Sequence, residues 1–550
     1  MKQIIFFLLL SIAFIAESFA QQTPQRFRRT IDYKTLTDTS RDLDFVETDP
    51  PTGEVRFVAE FEPMQGVMIR YPLGIPESLV ADFSTNCQVY CIVADSCQNE
   101  AFQTFVEADV DMDRVTFVNA PTESFFVRDY GPWYIFEDKQ PAIVDNLYYP
   151  EYRPKDDSIS WVFSEFWDIP MYGMNLRYEG GNMMEDGRGQ GVSDANVVYS
   201  NNNDEEDLRN KIRDYLGIES LHLLTSNYYF GHVDCWGKYL APDKILIAKL
   251  PENDYLYSDF EGIAHYFSTT NCCWGYPYRV YRVDIPNSGH NTVAPYTNSL
   301  ILNKTVYLPM GTDSVYNQNA IAVYQEAMPG YEILAFEGSE NTPWVAGDAL
   351  HCRTRGVMDF DMLFVDHRDV IFGEQAWQDS IAVTSKFIAY SGANLKQDSL
   401  LVYYSIDGGA YQTAHMTATG NPDEYVGYIK GYQLGSQIDY YVFGADESGH
   451  RYTQPVFAAL DPHHFWIESN VGFAEFSTKL NVYPNPTTGQ FTVEGANVAK
   501  VEVYNLVGQK VHEAEGQVVN IDATDWHKGI YLVNIIEENG AVVTKKLVVR

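Results

Sequence analysis

The residues most able to do chemistry lie in Asp348-Ala349-Leu350-His351-Cys352-Arg353-Thr354. Thr, Pro, Gly and Asp turn residues precede this stretch, and the apolar run Met362-Leu363-Phe364-Val365 follows it. Cys352 is therefore expected where a loop meets a buried strand, a place where a rigid scaffold holds a reactive group. A thiol becomes a strong nucleophile when a histidine or a cationic surrounding favours the thiolate. A free cysteine is also a good small core residue, so the stretch needs partners before it means chemistry.

Three other stretches offer them. In Phe126-Val127-Arg128-Asp129-Tyr130-Gly131-Pro132-Trp133 the carboxylate of Asp129 is presented just ahead of a Gly-Pro bend. In Phe230-Gly231-His232-Val233-Asp234-Cys235-Trp236-Gly237, His232 and Asp234 are two apart, which in a strand places them on one face. A histidine beside a carboxylate stays cationic near neutral pH and works as an acid or a base. In Pro295-Tyr296-Thr297-Asn298-Ser299-Leu300-Ile301-Leu302 an amide sits at the mouth of an apolar strand.

A thiol, an imidazole and two carboxylates make a set different from that of a cysteine peptidase, which does not need two further Asp. Two carboxylates suit a planar cation with several N–H donors, and a guanidinium has five. Gripped along both edges, its carbon would face the sulfur, and attack there would expel ammonia. A metal site of His232, Asp234 and Cys235 is the competing reading. It lacks a further His or Cys cluster, and no Cys-x-x-Cys pair is present.

The elements that must position these groups are legible as three texts. From Val55 to about Asp369, short apolar strands such as Gly66–Tyr71, Val89–Val93, Ala142–Asp145, Lys244–Ala248 and Thr305–Leu308 alternate with helical patterns such as Glu205–Leu216. That alternation predicts an α/β domain. From about Asp379 to Glu468 the helical patterns stop. A hairpin about Asp407-Gly408-Gly409 and a strand at Ile438–Phe443 predict a β-sandwich of immunoglobulin type, with the role of a spacer or stabilising module. From about Leu480 a third text, headed by Asn481-Val482-Tyr483-Pro484-Asn485-Pro486-Thr487-Thr488-Gly489, predicts a second, smaller β-sandwich.

At 550 residues the chain accommodates several domains, and 45% hydrophobic content argues for folded cores. A net charge of −37 argues against phosphate backbones and anionic membranes as partners and suits a cationic substrate. Residues 1–20 read as a secretory signal: Lys2, an apolar core from Ile4 to Ile15, then Ser18-Phe19-Ala20. Residues 21–50 read as a leader, and no later apolar run is long enough to cross a membrane. Seven cysteines leave at least one thiol unpaired, and pairings among Cys87, Cys91 and Cys97 stay open.

These residues also carry a resemblance. Arg128–Trp133, Glu179-Gly180-Gly181-Asn182, Gly231–Leu240, Tyr296–Leu302 and Asp348–Thr354 together resemble the Porphyromonas-type bacterial peptidylarginine deiminases, relatives of agmatine deiminase in the guanidine-modifying superfamily. The segment from about Leu480 resembles the C-terminal sorting domain of the type IX secretion system. The resemblance implies a five-bladed α/β propeller over residues 51–375, an immunoglobulin-like domain over 376–470 and a sorting domain over 471–550. It implies Cys352 as nucleophile, His232 as general acid and base, Asp129 and Asp234 on the guanidinium, and Asn298 in support. Arg153, Phe126, Gly181 and Trp133 are expected to bind substrate. It implies neither metal nor organic cofactor. The partners expected are an arginine-containing peptide or protein and the type IX machinery, with the product secreted or held at the outer-membrane surface.

One departure bears on specificity. The family carries an Arg-Pro-Arg-Pro stretch whose arginines read a C-terminal carboxylate; here the text is Tyr149-Pro150-Glu151-Tyr152-Arg153-Pro154. Losing one arm of that clamp is expected to weaken the preference for C-terminal arginine. Phe126 also stands where the family has Trp. A small-guanidine deiminase, such as one for agmatine, and a non-enzymatic surface adhesin are the alternatives.

Overall fold

Apolar strands too short to form one large sheet fold instead into five small ones between Val55 and Met358. The computed structural model describes residues 45–148, 153–228, 231–289, 292–469, 480–495, 498–506, 508–537 and 542–550. The expected signal and leader up to residue 44, and the stretch 149–152 with Glu151, lie outside the described residues.

Each sheet repeats one pattern: an antiparallel pair, a helical crossover, and a third strand parallel to the second. Trp133–Glu137 pairs with Gln140–Leu147, helix Ile159–Trp167 crosses over, and Met171–Arg177 completes that sheet. Met184–Glu185, Gln190–Asp194 and Ser220–Leu224 form the next around helix Glu205–Leu216. Gly237–Ala241, Lys244–Lys249 and Arg279–Asp284 follow with helix Tyr257–Thr269. Leu300–Leu302, Thr305–Pro309 and Glu332–Phe336 follow with helix Ser314–Ala327. The fifth joins both ends of the segment: Arg355–Met358 pairs with Met64–Arg70, then Gln88–Val93 and Val115–Asn119 add in parallel. Parallel neighbours require such crossovers, which explains why strand and helix patterns alternate in the sequence. None of these sheets closes on itself.

The helix expected over Glu205–Leu216 forms with those bounds. Asp204 caps it by accepting from the Asp207 N–H, three acids fill the first turn, and Gly217 ends it at φ +67°. Leu208, Ile212, Tyr215 and Leu216 bury one face of it in the core that also holds Leu176, Val144 and Trp133.

One expectation is corrected. The apolar run after Cys352 is not the strand that carries the nucleophile loop. Arg355–Met358 takes that place, while Leu363–Asp366 pairs with Ile381–Ala389 in the following β-rich region. The apolar run could not reveal this, because any fully buried sheet accepts such a strand. The β-rich region adds Glu424–Ile429 to that sheet, and its other sheet contains the expected hairpin, Leu401–Ile406 with Gln412–His415. It is tied to the α/β segment by a buried ion pair, Arg188 to Asp366 at 2.9 Å, and by buried Lys244 to half-buried Asp461 at 2.8 Å.

A second compact unit comprises residues 373–378, 431–438 and 465–550. Its C-terminal part is a three-stranded sheet, Asn481–Tyr483, Gln490–Glu494 and Val518–Asp522, and a four-stranded one, Val498–Asn505, Lys510–Glu515, Gly529–Glu537 and Val542–Val549. Phe491, Val493, Val501, Val533, Ile535 and Leu547 form its core, alternating with exposed residues at the two-residue period of a strand. All seven cysteines carry free thiols.

Candidate active site

Each polar stretch singled out by the sequence ends within a few residues of the first strand of a sheet. The one-turn helix Val127–Tyr130 leads into Trp133–Glu137, the turn Gly180–Asn182 into Met184–Glu185, and the turn Val233–Cys235 into Gly237–Ala241. Asn298 precedes Leu300–Leu302, and Cys352 precedes Arg355–Met358. The following strands are almost wholly buried, so short rigid loops present polar side chains at their heads. His232 and Asp234 are thus not strand neighbours, as their spacing had suggested. His232 sits in extended backbone just ahead of the turn that carries Asp234.

These loops bring six of the expected residues into one neighbourhood. Asp129 Oδ1 accepts from the Gly181 N–H at 3.1 Å and lies 3.8 Å from His232 Nδ1. The other ring nitrogen of His232, Nε2, is 2.8 Å from Glu179 Oε2. The Cys352 thiol donates to Asp234 Oδ2 at 3.5 Å, and Asn298 Nδ2 donates to Cys352 Sγ at 3.1 Å. Asn298 Oδ1 also accepts from the Ala349 and Cys352 N–H groups at 3.0 and 3.2 Å. One amide therefore fixes both the loop and the sulfur.

Gly181 is at the centre of this group. A Cβ there would stand 2.8 Å from His232 Nδ1, 2.9 Å from Asp129 Oδ1 and 3.0 Å from Asp234 Oδ2. Only a residue without a side chain leaves the space between imidazole and carboxylates free. Gly180 is needed for a different reason: its Cβ would come within 2.1 Å of the Arg128 carbonyl oxygen, so no side chain allows these two loops to approach.

The electrostatics are unequal. Burial raises the Asp129 carboxyl; His232 pulls it down, Glu179 and Asp234 push it up, and the net value is about 7. For His232, burial works against the charge, but the hydrogen bond to Glu179 and the charges of Asp129, Glu179 and Asp234 prevail and raise it to about 10. Asp234 is buried too, yet His351, His232 and Lys238 hold it below the ordinary value. At Cys352 a hydrogen bond from Cys235 favours the thiolate, but burial and the charges of Asp234, Asp348 and Asp129 outweigh it and push the thiol up to about 12. The resting site pairs an imidazolium with a neutral thiol and at least one carboxylate, and it is poised for a cation.

Asp234, Cys235 and Cys352 bring a carboxylate and two sulfurs within 4.8 Å of one another. A borderline-soft cation could use those donors. They are, however, already engaged: Asp234 accepts from His351 Nδ1 at 2.7 Å and from both thiols at 3.5 Å. His232, part of the metal set weighed from the sequence, faces Glu179 instead.

The remaining expected residues divide. The Arg153 guanidinium lies over the Phe126 ring at 4.9 Å and donates to Tyr148 Oη at 2.9 Å. Trp133 is placed differently from the expectation. It is fully buried, stacked on Phe57 at 5.8 Å and edge-on to Tyr178 at 5.1 Å, within the core of its sheet. Sequence reasoning missed Glu179, His351 and Tyr148 as individual residues. The signal for Glu179 was its place before two glycines, which lets its loop reach His232; His351 was masked by its neighbour Cys352.

Two segments of the chain are similar to known proteins. The Porphyromonas-type peptidyl-arginine deiminase family matches over residues 56–357, and a secretion system C-terminal sorting domain matches over 481–550. A Vibrio parahaemolyticus protein named “Putative agmatine deiminase” is 22% identical over 57% of this chain and 99% of its own. A Pseudomonas aeruginosa agmatine deiminase is 23% identical over 45% of this chain and 78% of its own. A solved structure described in the same terms as the Vibrio protein superposes with a TM-score of 0.50 at 19% identity, covering 57% of this chain and 98% of that one. The α/β segment therefore has the mixed fold of guanidine-modifying deiminases, and the C-terminal domain marks the protein for export and attachment at the cell surface. The chain belongs to the Porphyromonas-type peptidyl-arginine deiminase family.

Proposed function

We propose that the protein hydrolyses the guanidinium of arginine in peptides or proteins, releasing ammonia and leaving citrulline, with Cys352 as the nucleophile. The observation that carries this reading is the convergence of His232 Nδ1, Asp129 Oδ1 and Asp234 Oδ2 about Gly181, with Cys352 Sγ 3.5 Å from the same Asp234 oxygen. A flat cation entering there meets a carboxylate on each edge and the sulfur before its carbon.

Its charge offsets the anions that hold the thiol protonated, so binding itself drives the Cys352 proton off to solvent. The S–C bond forms and gives a tetrahedral adduct. The His232 imidazolium then donates its proton to one nitrogen, the C–N bond breaks and ammonia leaves, giving a thiouronium. Neutral His232 takes a proton from water, the hydroxide adds to the carbon, and the C–S bond breaks as the adduct's O–H proton passes to the departing Cys352 sulfur, releasing citrulline and the free thiol. Glu179 keeps the imidazole oriented throughout and favours its return to the charged form.

Export favours peptide or protein substrates over a cytosolic metabolite, and Arg153 at the Phe126–Tyr148 edge is suited to a substrate carboxylate. The runner-up, deimination of agmatine, is favoured by the named activities of the relatives. A panel of free arginine, agmatine and peptides with internal or C-terminal arginine separates the two: citrulline from peptides supports the first, carbamoylputrescine alone the second. We read the five sheets as blades of one propeller and the β-rich region after it as an immunoglobulin-like spacer before the sorting domain.

A further inference from the structure

Glu60 lies in the turn between strands Val55–Phe57 and Met64–Arg70, far in sequence from every group above. Its side chain is only 14% exposed. Its Oε1 accepts from Lys238 Nζ at 2.8 Å and from the Ile301 N–H at 2.9 Å. Its Oε2 accepts from an Arg128 guanidinium nitrogen at 2.8 Å and lies 2.7 Å from His351 Nε2. Each of the four donors belongs to a different stretch of the site. Arg128 adjoins Asp129, Lys238 follows Asp234 on the strand it leads into, Ile301 follows Asn298, and His351 adjoins Cys352.

The His351 ring continues the row, with Nδ1 2.7 Å from Asp234 Oδ2. Two acceptor carboxylates facing the two nitrogens of one ring require two protons in the row. Arg128 adds a second tie: its N–H donates to the Cys352 carbonyl at 3.2 Å and its Nε to the His351 carbonyl at 3.3 Å. The neighbouring acid Glu62 contrasts with this. It pairs with Arg56 at 2.7 Å and accepts from the Ala59 N–H, touching none of the four stretches.

We propose that Glu60 is a positioning residue for the deiminase reaction: one carboxylate registers the four catalytic stretches against one another and, through His351, keeps Asp234 aimed and ionised toward the substrate cation. The proposal rests on the deiminase reading of the site. A carboxylate with every lone pair engaged by a separate loop holds those loops in one register more stringently than apolar contact does. Burial, Arg128 and Lys238 lower His351, and the charge of Glu60 opposes them, favouring the ring proton that in turn favours the anion on Asp234. The charged groups facing Glu60 are Arg128, Lys238 and His351, with Glu185 and Arg355 close enough to act through space. Those facing Asp234 are His351, His232, Lys238 and Asp129, with Asp348 acting through space and the thiols of Cys235 and Cys352 in contact.

The test compares wild type, Glu60→Gln, Glu60→Asp and the control Glu62→Gln as full chains. Two readouts are taken: kcat/KM against pH, and the rate at which Cys352 is alkylated by chloroacetamidine, a cation, relative to iodoacetamide, which is neutral, followed by peptide mass. In Glu60→Gln, kcat/KM falls on the order of 100-fold, and its acid limb steepens from one proton toward two as Asp234 joins Asp129 in titrating. The amidine-over-amide preference of Cys352 falls about 10-fold. Glu62→Gln lowers the melting temperature and leaves both readouts in place. Glu60→Gln with the wild-type pH profile and alkylation preference overturns the proposal, whatever its melting temperature. Should Glu60→Gln fail to melt cooperatively, Glu60→Asp decides by the same two readouts, since its shorter arm cannot reach all four donors. A wild-type protein that releases no ammonia from any guanidine refutes the deiminase reading separately, and the alkylation preference still decides the role of Glu60.

Discussion

His232 and Glu179 share a 2.8 Å contact between Nε2 and Oε2, leaving Nδ1, on the other side of the ring, toward Asp129 and the open space over Gly181. The imidazole is thereby held charged by one acid and offered to the substrate by its free nitrogen. Much of the chemistry follows from that division.

Glu179→Gln removes the partner that lifts His232 to about 10. The alkaline limb of kcat/KM should move to lower pH, and kcat should fall more than KM rises. The stability effect has a definite sign. The folded value lies above the free-imidazole value of 6.5, so the contribution is full below that pH and is lost as pH rises through about 10. Wild type should lose stability across that window, and Glu179→Gln should lose less. Thermal melts at several pH values measure it.

Asp129 has the same sign over a lower pH window. Its folded value, about 7, exceeds the ordinary 3.8, so the folded state binds the proton more tightly and stability falls as pH rises between those values. A guanidinium ligand supplies the missing countercharge. An unreactive guanidine should raise the melting temperature more at pH 8 than at pH 5, and its affinity should fall as the solution is acidified through about 7.

Gly181→Ala places a methyl group within 3.0 Å of His232 Nδ1, Asp129 Oδ1 and Asp234 Oδ2. Its backbone is not in the left-handed region, so the fold should survive. Activity should drop on the order of 100-fold, with a large rise in KM. Steady-state kinetics beside a circular-dichroism melt check both halves.

Asn298→Ala deletes the donor to Cys352 Sγ and the acceptor for two loop N–H groups, and should cost about 2 kcal/mol of stability as well as activity. Asn298→Asp keeps that acceptor but sets a further anion beside the thiol. It should retain more stability than the alanine variant and lose as much activity. Denaturant melts and ammonia release together separate the two effects.

The site was more legible in the sequence than the architecture. Cys352, His232, Asp129 and Asp234 stand out because reactive and charged groups crowd into stretches bounded by Gly and Pro. The helix Glu205–Leu216 was legible because its cap, first-turn acids and terminal glycine all agree. Strand partners were not legible: Leu363–Asp366 is as apolar as any strand of the α/β segment, and only pairing reveals its sheet. Trp133 was placed on the pocket by its neighbours in sequence, whereas the strand beginning at Trp133 turns its indole into the core. Glu60 was invisible because its four partners are spread from residue 128 to residue 351, and nothing local marks a turn glutamate as buried.

The most direct test of the central claim is acid-quenching of the protein with an arginine peptide, followed by peptide mapping of the Cys352 segment. The expected result is an adduct on Cys352 with the mass of the peptide less ammonia, absent in Cys352→Ala, which should fold normally and release no ammonia. Ammonia release by a folded Cys352→Ala at the wild-type rate would contradict the account.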